Sequence, residues 1–274
     1  MTDATAGPFP HGLDDARDAV LAGTAIIAAH DLRKQYGDTV AVDGISFSVT
    51  QGEVFGMLGP NGAGKTTTVE MLEGMREPDS GSAVVAGIDV VKDPMAVKRI
   101  IGVQLQSNAF FDRLKLTELL NLFARIYGTK ASPTQLLERV DLAEKGGSLF
   151  KTLSGGQKQR FSIAAALVND PVVMFLDEPS TGLDPQARRN MWDLVRGLKA
   201  DGKTVVLTTH YMEEAEELCD RVAVVDQGRI VALDSPGALI DQLLETGFRN
   251  ERPTREATLE DVFINMTGRA LRDE

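Results

Sequence analysis

The stretch of sequence that decides the fold is Gly59-Pro60-Asn61-Gly62-Ala63-Gly64-Lys65-Thr66. It fits the pattern G-x-x-x-x-G-K-[ST] at every fixed position. An apolar run precedes it, and a helical pattern through Val69 and Met71 follows it. Glycines let successive backbone N–H groups turn towards an anion, and the following helix directs its positive end at the same point. The sequence therefore predicts a phosphate-binding loop between a strand and a helix.

The side chains of this Walker A motif predict an ATP site that uses Mg²⁺. Lys65 is placed to reach the β- and γ-phosphates, the Thr66 hydroxyl to bind Mg²⁺, and Thr67 to add a contact near the α-phosphate. A glycine-rich turn that happens to precede Lys-Thr is the alternative interpretation. The flanking strand and helix patterns disfavour that alternative.

A second motif is the apolar run 172–176, which ends in Asp177 and Glu178. A buried strand would deliver Asp177 to the Mg²⁺ side of the nucleotide and place Glu178 to polarise the attacking water as a general base. Taken alone, the same pattern also fits a strand that simply exits to solvent. Its combination with the phosphate-binding loop favours a catalytic pair.

The order of the predicted elements indicates an α/β protein. Apolar or β-branched runs near the amino end, separated by turn residues, predict a local antiparallel sheet. These runs are 25–29, 39–42, 45–49 and 53–58. Helical spacing then predicts a helical lobe over about 107–169. Its predicted helices are Leu116–Tyr127, 134–142 and 157–168.

The remainder of the chain alternates strand and helix patterns, which indicates β-α-β units and a mostly parallel sheet. The predicted strands are 172–176, 205–208 and 222–225, and the predicted helices are 185–198 and Met212–Leu218. We therefore expect a P-loop NTPase core with a mostly parallel sheet, an N-terminal antiparallel β subdomain and an inserted α-helical subdomain.

Composition restricts the class of partner. The chain has 274 residues, 43% of them hydrophobic, and a formal net charge of −11. Because nucleic-acid binding depends on Lys and Arg neutralising phosphates, we expect no nucleic-acid partner. The single cysteine, Cys219, cannot form an internal disulfide, which fits a reducing compartment. The apolar runs are far shorter than the roughly 20 residues of a membrane span, so a membrane role would need a partner.

The segment Leu153-Ser154-Gly155-Gly156-Gln157-Lys158-Gln159-Arg160 resembles the signature sequence of ABC ATPases. Ser154 is a typical helix N-cap, and the two glycines leave backbone N–H groups open to an anion. An ordinary helix start is the alternative interpretation. The resemblance extends from about Ile26 to Leu271, and it implies that Ser154, Gly155, Gly156 and Gln157 contact the ATP held by a second subunit.

Other segments fall in the order of that family. Gln106 resembles the glutamine that contacts Mg²⁺ or the attacking water, His210 the switch histidine that holds the γ-phosphate, and Tyr36 the aromatic residue that stacks on adenine. Residues 180–184 resemble the D-loop, which links the two ATP sites. Each feature also has an ordinary interpretation without the resemblance. Gln106 could be a solvated loop residue, His210 a structural histidine and Tyr36 a half-buried turn residue. Residues 180–184 could be a plain helix start.

The resemblance also implies an assembly. One copy of each motif requires a second nucleotide-binding subunit, and a homodimer is the economical solution, with a heterodimer left open. Residues 1–22 would be a disordered extension, 23–245 the ATPase domain and 246–274 a short C-terminal extension.

The segments 208–216, 221–225, 259–263 and 267–269 resemble exporters of the daunorubicin-resistance type. Such a subunit works at the cytoplasmic side of the cell membrane with a separate type-2 permease. Four apolar side chains after Gln106 either line a groove for that permease or pack within the helical lobe; they are Phe110, Phe111, Leu114 and Leu116. An importer subunit and a non-transport ABC ATPase remain alternatives.

Overall fold

The computed structural model describes residues 25–104, 110–246, 248 and 259–267, without the side chains of residues 260 and 261. The strands are β1 (Ile27–Tyr36), β2 (Thr39–Val49), β3 (Val54–Leu58), β4 (Ser80–Val85), β5 (Ile88–Asp89), β6 (Ile101–Gln104), β7 (Val173–Asp177), β8 (Thr204–Thr209), β9 (Arg221–Asp226) and β10 (Arg229–Asp234). The helices are α1 (Lys65–Leu72), α2 (Pro94–Ile100), α3 (Leu116–Tyr127), α4 (Pro133–Arg139), α5 (Gly155–Ala166), α6 (Pro185–Ala200), α7 (Met212–Leu218), α8 (Pro236–Glu245) and α9 (Leu259–Thr267).

The strands form two sheets. The first has four antiparallel strands in the order β2-β1-β4-β5, and the second has six strands in the order β10-β9-β3-β8-β7-β6. In the second sheet only β10, at the edge, runs antiparallel to its neighbour. The predicted α/β fold with an antiparallel subdomain and a mostly parallel sheet is confirmed.

The amino-terminal strands differ from the prediction in two ways. The runs 39–42 and 45–49 are one strand, β2, which passes through Gly44 at φ +78°. The run 53–58 is predicted to belong to the antiparallel sheet, but its strand, β3, lies between β8 and β9 in the parallel sheet. All five residues of β3 are buried, and a strand buried on both faces fits the centre of a parallel sheet.

Side chains on the two faces of the six-stranded sheet belong to two different hydrophobic clusters. On β7, Val173 and Phe175 join the cluster that contains β1, β2, β4 and α1, whereas Met174 and Leu176 join the cluster that contains α3 to α9. Burying each such side chain contributes about 1.5–3 kcal/mol. The sheet therefore separates the antiparallel layer from the helical layer.

The helical segment packs around an aromatic cluster. The Phe110 ring lies 5.8 Å from that of Phe123, 4.9 Å from that of Phe150 and 5.3 Å from that of Phe161. Leu116 is fully buried, whereas Phe111 is 65% exposed. Of the four apolar residues considered for a permease groove, Phe110, Leu114 and Leu116 thus pack within the helical layer.

Three predicted helices have different bounds, and the simplest difference is that the helix predicted over 185–198 extends to Ala200. The helix predicted over 134–142 ends at Arg139, and Asp141 then adopts φ +55°, which stops the helix before a 3₁₀ turn at Ala143–Lys145. The helix predicted to begin at Gln157 begins at Gly155, because Ser154 caps it.

Candidate active site

The loop 59–64 connects β3 to α1, as the sequence predicts. Gly62 and Gly64 adopt the left-handed φ values +78° and +101°, which favour glycine. A Cβ atom on Gly59 would lie 2.1 Å from the Val225 carbonyl oxygen. Glycine is therefore required at Gly59 for close approach to a neighbouring strand, and at Gly64 for backbone conformation.

A three-way backbone contact holds this loop. A Cβ on Gly64 would lie 2.3 Å from the Ala41 carbonyl oxygen, and one on Gly228 would lie 2.9 Å from the same atom. The Gly228 N–H donates to the Ala63 carbonyl at 2.9 Å, and the Asp43 N–H donates to the Gly228 carbonyl at 2.8 Å. The loop is thereby fixed both to β2 and to the turn between β9 and β10.

Lys65 is buried at the start of α1, with 4% of its surface exposed. Its Nζ donates to the Gly59 carbonyl at 2.7 Å and to the Pro60 carbonyl at 3.0 Å. Burial lowers the pKa of Lys65, and the charges of Glu178 and Asp177 oppose that shift. A desolvated ammonium that is hydrogen-bonded to loop carbonyls, with the Glu178 carboxylate 4.0 Å away, is well placed to exchange those carbonyls for phosphate oxygens.

Asp177 lies at the end of β7 and is held by two hydroxyl groups. Thr66 Oγ1 donates to its Oδ1 at 3.2 Å, and the Thr208 hydroxyl donates to the same oxygen. A hydroxyl next to a buried carboxylate fits Mg²⁺, which commonly takes one or two carboxylates and completes its shell with phosphates and water. Among the described residues no group of three or more His, Cys, Asp or Glu could hold a metal ion.

Glu178 is the next residue, and its backbone adopts the left-handed φ of +48°. This conformation costs about 1–2 kcal/mol for a non-glycine residue. Its Oε1 lies 3.2 Å from His210 Nδ1, and its Oε2 accepts from Thr181 Oγ1 at 3.1 Å. The Glu178 N–H donates to Thr208 Oγ1 at 3.1 Å. The carboxylate is therefore held from two sides, a suitable arrangement for a positioned general base.

The structure thus brings together five of the predicted site residues: Lys65, Thr66, Asp177, Glu178 and His210. In the loop and the first turn of α1, Asn61, Gly62 and Thr66 are exposed, Pro60 and Thr67 are half-buried, and Ala63 is buried. Tyr36 ends β1 and is 40% exposed, with the Arg76 guanidinium 5.2 Å from its ring centroid. Gln106 lies outside the described residues.

The signature segment is not joined to the phosphate-binding loop of its own chain. Ser154 Oγ accepts from the Gln157 N–H at 3.3 Å, and the Ser154 N–H donates to Gln157 Oε1 at 3.0 Å, forming a capping box at the start of α5. In the described part of the chain, no hydrogen bond or ion pair links residues 154–157 to residues 59–67. Gly155 lies exposed at the helix N-terminus.

Sequence reasoning missed Thr181 and Thr208, which orient the two carboxylates. A usable signal was the polar pair Thr208-Thr209, which ends strand β8 directly after the apolar residues 205–207. Two hydroxyl residues at the end of a buried strand indicate hydrogen bonding at that edge of the sheet.

The comparisons with known proteins agree with this geometry. The sequence profile of the ABC transporter family matches residues 42–181. A Nod factor export ATP-binding protein I from Burkholderia orbicola is 46% identical over 301 residues, which cover 91% of this chain and 99% of the relative. The chain belongs to the ABC transporter ATP-binding family. A protein of the same description from Ralstonia nicotianae is 37% identical over 311 residues, covering 92% of this chain and 97% of the relative.

Solved structures of ABC ATP-binding proteins share the fold. The ATP-binding subunit of an ABC transporter superposes with a TM-score of 0.75 at 27% identity, covering 88% of this chain and 99% of the other. The ADP conformation of an ATP-binding cassette gives a TM-score of 0.72 at 26% identity, covering 81% and 95%. This ABC ATP-binding subunit is accordingly an ATP hydrolase. None of the described helices is long and apolar enough to cross a bilayer.

Proposed function

We propose that this subunit is the ATP-driven motor of an exporter and acts on a permease made as a separate polypeptide. The observation that carries the proposal is the convergence of Lys65, Asp177, Glu178 and His210 at one edge of the parallel sheet. The names of the similar Nod factor export proteins support the outward direction. The subunit would lie at the cytoplasmic face of the membrane, held there by the permease.

The hydrolytic step follows from the positions of the side chains. Lys65 releases its loop carbonyls to bind the β- and γ-phosphates, and Glu178 accepts a proton from the water that attacks the γ-phosphorus. The new P–O bond forms as the bond to the bridging oxygen breaks, and ADP leaves with that electron pair. His210 contacts Glu178 in this structure, and its side chain would turn to the γ-phosphate when ATP binds. Mg²⁺ held by Thr66 and Asp177 would supply neutralisation of phosphate charge.

A second copy of the chain completes each ATP site in this proposal. The Ser154–Gln157 segment has exposed polar groups at a helix N-terminus, which favours an anion. Since it makes no bond to its own phosphate-binding loop in the described residues, we assign it to the ATP of the partner subunit. A symmetric head-to-tail homodimer then has two equal sites. ATP stabilises the closed dimer, and hydrolysis removes contacts to the γ-phosphate and reopens it.

The permease would be of type 2, as in exporters of the daunorubicin-resistance type, and Gln106 would contact Mg²⁺ or the attacking water and sense the permease. Phe111 supports a contact there, because it is 65% exposed next to the segment that contains Gln106. Tyr36 would stack on adenine, and the 40% exposure of the residue supports this assignment.

The experiment is to identify the permease by pull-down from native membranes and to reconstitute both chains in vesicles. Candidate cargoes are a fluorescent amphipathic drug, a labelled lipid and a Nod factor. The expected result is movement of one cargo away from the ATP-exposed face, with loss of transport and hydrolysis in His210→Ala. Transport by the Glu178→Gln, His210→Ala double variant without ATP turnover would refute the motor assignment, and movement towards the ATP-exposed face would refute export.

A further inference from the structure

Glu214 is a carboxylate buried in the first turn of α7, with none of its surface exposed. Its Oε1 accepts from the Ser180 hydroxyl and, at 3.3 Å, from Trp192 Nε1. Burial raises the pKa of Glu214, and hydrogen bonds from Ser180, Thr209 and Trp192 oppose the rise. A buried carboxylate is costly to keep, so this one calls for an explanation beyond packing.

The partners of Glu214 lie behind the groups that hold Glu178. Ser180 comes two residues after Glu178 and is 1% exposed. The next residue, Thr181, donates its hydroxyl to Glu178 Oε2 at 3.1 Å and its N–H to the Glu178 carbonyl at 3.2 Å. Anchoring the Ser180 side chain therefore anchors the turn that presents the Thr181 hydroxyl.

A second connection between Glu214 and the Glu178 carboxylate runs through β8. Thr209 precedes His210, and His210 Nδ1 lies 3.2 Å from Glu178 Oε1. The Thr209 hydroxyl accepts the Tyr211 N–H at 3.0 Å and interacts with the Glu214 carboxylate. Thr181 and His210 thus hold the Glu178 carboxylate. Glu214 interacts with the residue that precedes each of them in the chain.

We propose that Glu214 is a positioning residue for ATP hydrolysis, which fixes the turn after Glu178 through Ser180 and so directs the Glu178 carboxylate at the attacking water. It lies behind the site and contacts neither the phosphate-binding loop nor Lys65 in the described structure. Losing it should therefore lower kcat and leave ATP affinity nearly unchanged. An interaction that matters only in the transition state has this kinetic signature.

The test uses substitutions at both ends of the hydrogen bond. Ser180→Ala removes the donor, Glu214→Met removes the acceptor while keeping an unbranched side chain of similar length, and Ser180→Thr retains the hydroxyl. Glu213→Met is the matched control, because Glu213 is the neighbouring, exposed residue of the same helix. ATP turnover of the full chain, the Kd of a fluorescent ATP analogue and the Tm are measured for each variant.

Either single substitution should lower kcat about tenfold with the Kd changed less than about twofold. Ser180→Thr and the Glu213→Met control should keep kcat within about twofold of the unmodified chain. In the double variant Ser180→Ala, Glu214→Met the Ser180 hydroxyl is removed together with its acceptor, so the Tm should recover in part relative to Glu214→Met, while Thr209 and Trp192 still lack that acceptor. Its kcat should nevertheless stay about tenfold low, since the two residues act as one unit.

Three results would overturn the proposal. The first is normal turnover by Ser180→Ala. The second is a double variant whose kcat recovers together with its Tm, which would assign the pair to stability alone. The third is a roughly hundredfold loss in the double variant, because multiplied effects mean independent roles. If Glu214→Met fails to fold, Ser180→Ala, Ser180→Thr and the double variant still decide the question.

Discussion

Replacing Glu73 with Gln should remove a pH dependence of stability that is built into the end of α1. Glu73 is 2% exposed, and its Oε2 has no hydrogen-bond partner among the described residues. Burial, and to a lesser degree the charges of Asp177 and Glu70, raise the pKa of Glu73 from 4.5 to about 8. In the folded protein this carboxyl group is therefore neutral over most of the physiological range.

The sign of the effect follows from proton binding. Below about pH 4.5 both the folded and the unfolded chain carry the proton on Glu73, but between that value and about pH 8 only the folded chain retains it. The free energy of unfolding therefore falls as the pH rises through this window. At about 1.4 kcal/mol per pKa unit, the full loss is about 5 kcal/mol.

The measurement is urea unfolding of nucleotide-free protein with a metal chelator, at pH 5.5 and pH 8. Between these values the unfolding free energy of the unmodified chain should fall relative to that of Glu73→Gln by about 3–4 kcal/mol. Glu77→Gln is the control, because Glu77 is exposed four residues later and should leave the pH dependence unchanged. Parallel pH profiles for the unmodified chain and Glu73→Gln would show that the Glu73 carboxyl is not held neutral, and would refute the reasoning.

Three further substitutions test the site. Glu178→Gln should reduce ATP turnover at least about a hundredfold by removing the base, and light scattering with saturating Mg-ATP should show a dimer; a monomer there would contradict the proposed assembly. Lys65→Ala should instead weaken ATP binding about tenfold or more, measured by titration with a fluorescent nucleotide; unchanged affinity would remove Lys65 from the phosphate site. Gly59→Ala should lower the Tm by several degrees, since its Cβ would lie 2.1 Å from the Val225 oxygen; Gly147→Ala is the control because its Cβ would meet no atom within 4 Å.

The sequence predicts the central architecture because its motifs combine local geometry with chemistry. The phosphate-binding motif predicts the strand before it and the helix after it. The bounds of α7 also coincide with the prediction Met212–Leu218. The sheet to which β3 belongs could not be predicted in this way, because both sheets accept a short apolar strand and only tertiary packing decides between them.

The hydrogen bonds that support the site could not be predicted from the sequence either. Glu214 belongs to the run Glu213-Glu214-Ala215-Glu216-Glu217, and such an acidic run reads as a solvated helix face. Its burial depends on Ser180 and Trp192, which lie more than 20 positions away along the chain. Likewise nothing local to Glu73 indicates that its carboxyl group is enclosed.

The close approach of Gly64 and Gly228 to the Ala41 carbonyl joins the phosphate-binding loop to the antiparallel hairpin of β1 and β2. Ala41 lies on β2, which pairs directly with the Tyr36 end of β1. The backbone thereby links the strand that carries Tyr36 to the loop that precedes Lys65, while the ring and the ammonium each turn about their own side-chain torsions. In the proposed site a nucleotide would contact Tyr36 through its base and Lys65 through its phosphates. We therefore expect a nucleotide with a longer or shorter chain between its base and its phosphates to bind more weakly, because it fits the two contacts less well.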